Sequence, residues 1–150
     1  MPKSVVQAAI SFRDQATASA RRQNDDNLSF DSIWCVFDVD EHPEVDQAKQ
    51  LAKLNGLKLA VSNPCFELWL LLHFRDNPGA QHHKKIQAML KELVPDFDKE
   101  VNYERDYKGK TATAESRAIR MWNLAAETGI PEGNPTTGVF RLTREISRCD

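Results

Sequence analysis

Hydrophobic positions recur along the first third of the chain with two patterns, and each pattern predicts a different element. Apolar residues at helical spacing between Ser4 and Arg22 predict a thin amphipathic helix. Five consecutive apolar residues from Ile33 to Phe37 are typical of a strand that is buried on both faces. Helical spacing returns from Val45 to Leu54, after Pro43 in a predicted first turn, and Gly56 follows as a helix stop. This part of the chain is therefore predicted to run helix, strand, helix.

A second short strand is predicted from Leu57 to Val61, and a strongly apolar helix is predicted after it. Asn63 is a suitable N-cap and Pro64 a suitable first helical residue for that helix. The segment from Phe66 to Phe74 is apolar almost all round, which predicts a helix in the middle of the domain. The strand, helix, strand order predicts a parallel pair with a right-handed crossover.

The second half of the chain is more polar and is predicted to be helical. Helices are expected from Gln81 to Val94, from Ala112 to Glu127, and from Thr136 to Arg148, the last one started by Asn134-Pro135-Thr136. Only two strands are evident. With 150 residues, the chain is predicted to form one α/β domain, a small and mostly parallel sheet flanked by helices, with a helical C-terminal part.

Composition narrows the function classes without selecting one. Apolar residues make up 41% and charged residues 28%, and the net charge is −2, which is ordinary for a globular protein. Nucleic-acid contact would therefore need a local basic patch. No apolar run has membrane-spanning length and the N-terminus has no secretory pattern, so a cytoplasmic protein without membrane contact is expected. The three cysteines have no zinc-ligand spacing and are expected to be reduced.

Asp38 and Asp40 follow the first buried strand directly and are the first candidate site. Ligand sites of open α/β sheets lie at the carboxyl ends of strands. Residues two apart on an extended strand point the same way, so both carboxylates could face one Mg²⁺ or Mn²⁺ ion. The alternative is that the strand simply leaves the core here and meets water. The sequence pattern leaves both interpretations open.

Glu67 lies in the first turn of the apolar helix and is the third candidate. An acid at this position can complement the helix dipole and have no other role. However, a carboxylate among apolar side chains is costly unless it is paired or binds a metal, so Glu67 is also a candidate catalytic residue. His82 and His83 are predicted to point to different sides of their helix, because they are adjacent, and are not candidates.

Basic and aromatic side chains alternate in the loop before the penultimate helix. Tyr103 and Tyr107 are interleaved with cations. Lys108 and Lys110 in the loop, and Arg117 on the predicted helix that follows, are the candidate contacts to a nucleic-acid backbone. Acidic neighbours dilute the signal. A solvated loop is the alternative.

A phosphatase of the haloacid dehalogenase type is a further alternative. Asp38-x-Asp40 after an apolar strand, with Ser62 ending the next strand, resembles the first two motifs of that family. The resemblance fails at His42, where that family usually has Thr or Val, and at Pro43, where the predicted helix leaves no room for its extra turn and flap.

Three blocks of the sequence resemble the RloB-like proteins, a prokaryotic family associated with anti-phage defence. They are Trp34-Cys-Val-Phe-Asp-Val-Asp-Glu-His-Pro43, Ser62-Asn-Pro-Cys-Phe-Glu-Leu-Trp-Leu-Leu-Leu-His-Phe74 and Asn134-Pro-Thr136, in the order of the family. The resemblance spans about residues 30–146. It implies a Toprim-like domain, the metal-dependent fold of topoisomerases, primases and certain nucleases, in which Asp38 and Asp40 would hold Mg²⁺.

The same resemblance implies a Mg²⁺-dependent, nuclease-type domain of an anti-phage or abortive-infection protein that acts on DNA or RNA. Toprim sites also use a glutamate after an earlier strand, whereas this chain begins in a helix at Ser4, so an N-terminally truncated member with weak metal binding and little cleavage is expected. The alternative function is a non-catalytic subunit that works with an ATPase of the AAA or ABC type. The sheet edge left open by the missing strand predicts a possible homo-oligomer.

Overall fold

A computed structural model describes residues 1–149 and confirms the α/β fold. The strands are β1 (Trp34–Asp38), β2 (Lys58–Asn63) and β3 (Thr136–Thr137). The helices are α1 (Pro2–Gln23), α2 (Val45–Leu54), α3 (Glu67–Leu71), α4 (His83–Leu93), α5 (Thr111–Glu127) and α6 (Val139–Ser147). A short 3-10 helix covers Asp26–Leu28 and a π-helical turn covers Tyr103–Tyr107. No helix within residues 1–149 combines the length and apolar character needed to cross a membrane.

The chain divides into two compact units, and the first contains Met1–Phe37 and Glu41–Ala60. Helices α1 and α2 pack against each other there, and Val6, Ala48 and Ala52 are fully buried. Arg13 Nη1 donates to the carbonyl oxygen of Asn55, at the end of α2, at 2.5 Å. Both predicted helices are confirmed to within two residues at each end. Helix α2 begins after Pro43, however, because Glu44 is its N-cap.

The three strands form one small sheet in the order β1-β2-β3. Strands β1 and β2 are parallel, since Ile33 accepts from the amide of Lys58 at one end and Ser62 accepts from the amide of Val39 at the other. Strand β3 is antiparallel to β2, with Ser62 opposite Thr137. The sheet therefore has one parallel and one antiparallel pair: the two strands evident in the sequence are confirmed as parallel neighbours, and β3 adds a third strand that the sequence did not indicate.

The segment around Asn63 departs from its prediction because sheet pairing reaches further than expected. Asn63 pairs with Thr136 as the last residue of β2 and does not cap a helix. Its side-chain amide donates to the carbonyl oxygen of Glu132 at 3.1 Å. Helix α3 consequently begins only at Glu67. Pairing also takes Thr136 out of the predicted last helix, so that α6 begins at Val139.

The second unit comprises Asp38–Asp40 and the chain from Val61 onward. Helix α3 contacts α4, α5 and β3, and α5 contacts β3 and α6. The interior position predicted for the apolar segment is confirmed, because Leu68, Leu71 and Leu72 have no exposed surface. Facing side chains from the neighbouring helices, such as Ile86 and Ala118, are equally buried. This unit contains the candidate site residues.

Candidate functional site at the carboxyl end of strand β1

A cleft of about 640 Å³ in the second unit collects charged side chains from β1, α3, α4 and the loop after α4. Its polar and charged lining residues are Asp38, Glu67, Lys84, Gln87, Lys91 and Asp98. Two of the three sequence-predicted catalytic residues, Asp38 and Glu67, therefore line the same cleft. Asp38 is the last residue of β1 and Glu67 the first of α3, so the strand end and the helix start both contribute to it.

The carboxylate of Glu67 is oriented by α4, because Gln87 Nε2 donates to Glu67 Oε1 at 3.0 Å. Cys65 is buried beside it, and burial raises the pKa of the Cys65 thiol above its usual range. The negative charge of Glu67, a hydrogen bond to Glu67 and the charge of Asp38 raise the same pKa further. Both carboxylates thus lie close enough to one thiol to disfavour its ionisation.

Two lysines of α4 bring positive charge to the cleft. Lys91 Nζ is 3.0 Å from Asp98 Oδ2, in an exposed ion pair. The ammonium group of Lys84 has no ion-pair or hydrogen-bond partner within residues 1–149. Lys84, Gln87 and Lys91 follow the helical spacing of three and four residues, which places them on one face. That spacing is the sequence signal from which these residues could have been predicted.

Asp40 lies outside the set of residues that line this cleft. Its backbone has φ of 33°, in the left-handed region, so the extended geometry that would align Asp40 with Asp38 ends at β1. Asp40 Oδ1 is instead 2.8 Å from His83 Nδ1. His82 is the N-cap of α4 and its ring centroid is 4.1 Å from that of His83. The prediction that the two histidines diverge was therefore wrong, because it assumed that both were helical.

The three cations predicted to bind nucleic acid each have a partner within the chain. Lys108 Nζ is 2.6 Å from Glu104 Oε2. Lys110 Nζ donates to the carbonyl oxygen of Asp106 at 2.8 Å and lies 4.4 Å from the ring centroid of Phe74. The third cation, Arg117, contacts a backbone carbonyl of a distant segment of the same unit.

Arg117 Nη1 donates to the carbonyl oxygen of Leu72 at 2.7 Å. Leu72 is the C-cap of α3, where helix carbonyls have no partner inside the helix. Arg117 therefore has a clear structural contact at the end of the most buried helix.

The phosphatase alternative needs Ser62 at a strand end with its hydroxyl available to a phosphate. Ser62 is only 1% exposed, and its Oγ is 2.8 Å from Thr137 Oγ1 on β3. The hydroxyl of Ser62 thus forms a hydrogen bond between two strands of the sheet.

The carboxylate oxygens of the cleft suit a hard divalent cation. Mg²⁺ takes oxygen ligands, keeps several waters, and is commonly bound by one or two carboxylates together with substrate phosphates. Asp38 and Glu67 meet that minimum. Within residues 1–149 no group of three or more His, Cys, Asp and Glu side chains is arranged to hold a metal by itself. Two carboxylates are a minimal donor set, which a substrate phosphate would have to complete.

No curated protein and no solved structure matches the chain. A family model described as RloB-like protein matches residues 1–146, which includes the segment before residue 30 as well as the three sequence blocks. The chain therefore belongs to the RloB-like protein family.

Proposed function

We propose that this protein is a Mg²⁺-dependent, nuclease-type domain that processes nucleic acid in anti-phage defence or abortive infection. The observation that carries the proposal is the meeting of Asp38 and Glu67 in one cleft beside Lys84, whose ammonium group has no partner in the described chain. Carboxylates next to a free cation suit a metal-bound phosphodiester, because the carboxylates attract the metal and the lysine attracts the phosphate. The defence role rests on the family resemblance alone.

Each cleft residue has a defined task in this proposal. Asp38 and Glu67 supply oxygen ligands, and Gln87 fixes the orientation of Glu67 through its 3.0 Å hydrogen bond. Lys84 binds a phosphate oxygen and neutralises part of its charge. When bound, Mg²⁺ would polarise the phosphate and lower the pKa of a coordinated water. Asp40 is not a metal ligand in this proposal, because its carboxylate contacts His83 at the start of α4.

Metal titration tests the proposal most directly. We expect Mn²⁺, followed by electron paramagnetic resonance, to bind weakly to the wild-type chain and more tightly in the presence of an oligonucleotide. Asp38→Ala is expected to abolish binding and Glu67→Gln to weaken it at least about tenfold, since even the loss of a residue that only supports a ligand costs roughly 10- to 100-fold in metal affinity. Asp40→Asn is expected to have a smaller effect than either substitution.

Asp76→Ala is the matched control, because Asp76 is an exposed acid whose ion pair with Arg120 lies among residues that do not line the cleft. Mn²⁺ binding that is unchanged in Asp38→Ala would refute the site. Cleavage of single- and double-stranded DNA and RNA is measured on the same variants. Metal binding without cleavage would favour the non-catalytic alternative.

A further inference from the structure

A second and smaller cavity adjoins the cleft and has a different chemical character. Its volume is about 210 Å³, and it shares Phe66, Leu70 and Val101 with the larger cleft. Its aromatic lining residues are Phe66, Trp69, His73, Tyr103 and Tyr107. Cavities that hold whole small-molecule ligands commonly measure about 300–1,000 Å³. The smaller cavity therefore suits a single ring system better than a complete nucleotide.

The polar groups around this cavity are incompletely satisfied. The hydroxyl of Tyr107 is buried and has no hydrogen-bond partner within residues 1–149, although burying such a group unpaired is costly. Thr111 Oγ1 is 3.5 Å from both His73 Nε2 and Tyr103 Oη, at the limit of a hydrogen bond. The hydroxyls of Tyr103 and Thr111 are thus held only loosely by the protein.

His73 presents an acceptor nitrogen on the Thr111 side. Its Nδ1 is 3.0 Å from the carbonyl oxygen of Trp69, which can only accept, so Nδ1 carries the proton in the neutral ring and Nε2 is an acceptor. Burial lowers the pKa of His73, which keeps the ring neutral. The cavity consequently offers aromatic faces together with a small set of hydrogen-bonding atoms.

We propose that this cavity binds one unstacked base of a single-stranded nucleic acid, with the adjacent sugar and phosphates in the cleft that contains Lys84. The inference rests on the proposed function, because it assigns the substrate class of the same site. Stacking on aromatic side chains is the usual way in which proteins hold bases of single strands. A paired base could enter only after leaving its duplex, so unpaired strands are the preferred substrate.

The exposed ring of Tyr103 makes the proposal testable without disturbing the core. Tyr103 is 51% exposed at the cavity, whereas Trp69 and Tyr107 are buried. Removing one stacking side chain typically costs roughly 1–3 kcal/mol per base, which is about 5- to 150-fold in affinity. Tyr103→Phe keeps the ring and serves as the conservative variant.

The experiment compares a fluorescein-labelled oligothymidylate with an abasic sugar-phosphate strand of the same length, by fluorescence anisotropy in EDTA. We expect the wild-type protein to prefer the strand that has bases. Tyr103→Ala is expected to weaken binding of that strand about 5- to 150-fold and to leave the abasic strand unaffected, while Tyr103→Phe retains the preference. Phe30→Ala is the matched control, because Phe30 is an aromatic residue of similar exposure, 59%, that does not line the cavity.

The possible failures are distinguishable. Equal affinity for both strands, or equal losses for both in Tyr103→Ala, would overturn the base cavity while leaving the Asp38-dependent metal site intact. Binding of neither strand would also overturn it. A base preference that depends on Tyr103, combined with Mn²⁺ binding that does not depend on Asp38, would support the cavity and refute the proposed function. Binding is measured without metal so that the two results remain separate.

Discussion

The cleft and the loop before α5 both contain lysines, but the lysines differ in what they already contact. In the cleft, the ammonium group of Lys84 has no ion-pair or hydrogen-bond partner within residues 1–149, although Lys91 pairs with Asp98. In the loop region, Lys108 pairs with Glu104, and Lys110 is hydrogen-bonded to a backbone carbonyl and lies over an aromatic ring. The number of cations in a segment therefore does not identify a binding surface, whereas the number still available to a phosphate does.

The two regions should therefore respond oppositely to substitution. Cations that bind the protein itself contribute to stability, whereas cations that are free contribute to ligand binding. A charged donor on a helix-terminal carbonyl is among the stronger hydrogen bonds in a protein. Arg117 has this type of contact, with Leu72. Exposed lysine pairs such as Lys108 with Glu104 contribute little.

Arg117 lies in α5, next to the loop, and Arg117→Ala gives the largest stability effect expected among the three cations of the loop and α5. It removes the 2.7 Å hydrogen bond to the carbonyl oxygen of Leu72, and we expect the free energy of unfolding in urea to fall by about 1.5–3 kcal/mol. Lys108→Ala, the control, should change it by less than about 0.5 kcal/mol. If Arg117→Ala instead unfolded like wild type and bound single strands more weakly, Arg117 would belong to a nucleic-acid-binding surface. The difference between the cations of this region and Lys84 of the cleft would then not hold.

The elements that sequence predicted well are those set by local periodicity. Helices α1, α4 and α5 and the start of β1 depend on apolar spacing within one segment. Strand β3 has only two residues, and no pattern in Thr136-Thr137 indicates pairing with β2, about 75 residues earlier in the numbering. The N-cap assigned to Asn63 failed for the same reason, because long-range backbone pairing outweighs a local capping preference.

The candidate site likewise combines residues that the sequence predicted with long-range contacts that it did not. Asp38 was identified because it lies at the end of a predictable strand, where α/β proteins place ligand residues, and Glu67 because it lies in the first turn of a predictable apolar helix. The contact between His83 and Asp40 joins residues 43 positions apart and has no local signal. The cavity at Tyr107 was equally invisible, although the alternation of aromatic and basic residues did indicate that the loop was of interest.

The salt dependence of single-strand binding should distinguish Lys84 from Lys110, with a smaller effect than that of Arg117→Ala on stability. Each phosphate contact by a cation adds about 0.7 to the slope of log affinity against log salt for single strands. We expect Lys84→Ala to lower the slope for an oligothymidylate by about that amount. Lys110→Ala, whose ammonium group already donates to the carbonyl oxygen of Asp106, should leave the slope unchanged. Anisotropy titrations at several salt concentrations measure both slopes, and an equal decrease in the two variants would mean that Lys84 and Lys110 do not differ in their availability to phosphate.

The smallest effect expected is a pH dependence that arises from His73, in the aromatic cavity. Burial is the largest cause of its lowered pKa, and the charges of Lys110 and Arg117 lower it further, against two backbone hydrogen bonds that raise it. Because the folded pKa lies below the unfolded value of about 6.5, the unfolded chain binds more protons between the two values. Stability is therefore complete above about pH 6.5 and decreases as the pH falls toward the folded pKa, by no more than about 1.4 kcal/mol per pH unit.

Urea unfolding across this pH range, in wild type and in His73→Phe, isolates the contribution of His73 to the pH dependence of stability. Asp76, Asp98 and Asp106, whose pKa is lowered by hydrogen bonds and nearby cations, are present in both proteins, so their titration cancels in the comparison. His73→Phe keeps an aromatic ring between Trp69 and Tyr107 but cannot take up a proton. Its unfolding free energy should accordingly decrease less steeply with falling pH than that of wild type, whatever its absolute stability. If the unfolding free energies of the two proteins decreased equally with pH, His73 would be protonated at a similar pH in the folded and unfolded chains. A neutral acceptor at Nε2 would then no longer distinguish the cavity from the charged cleft.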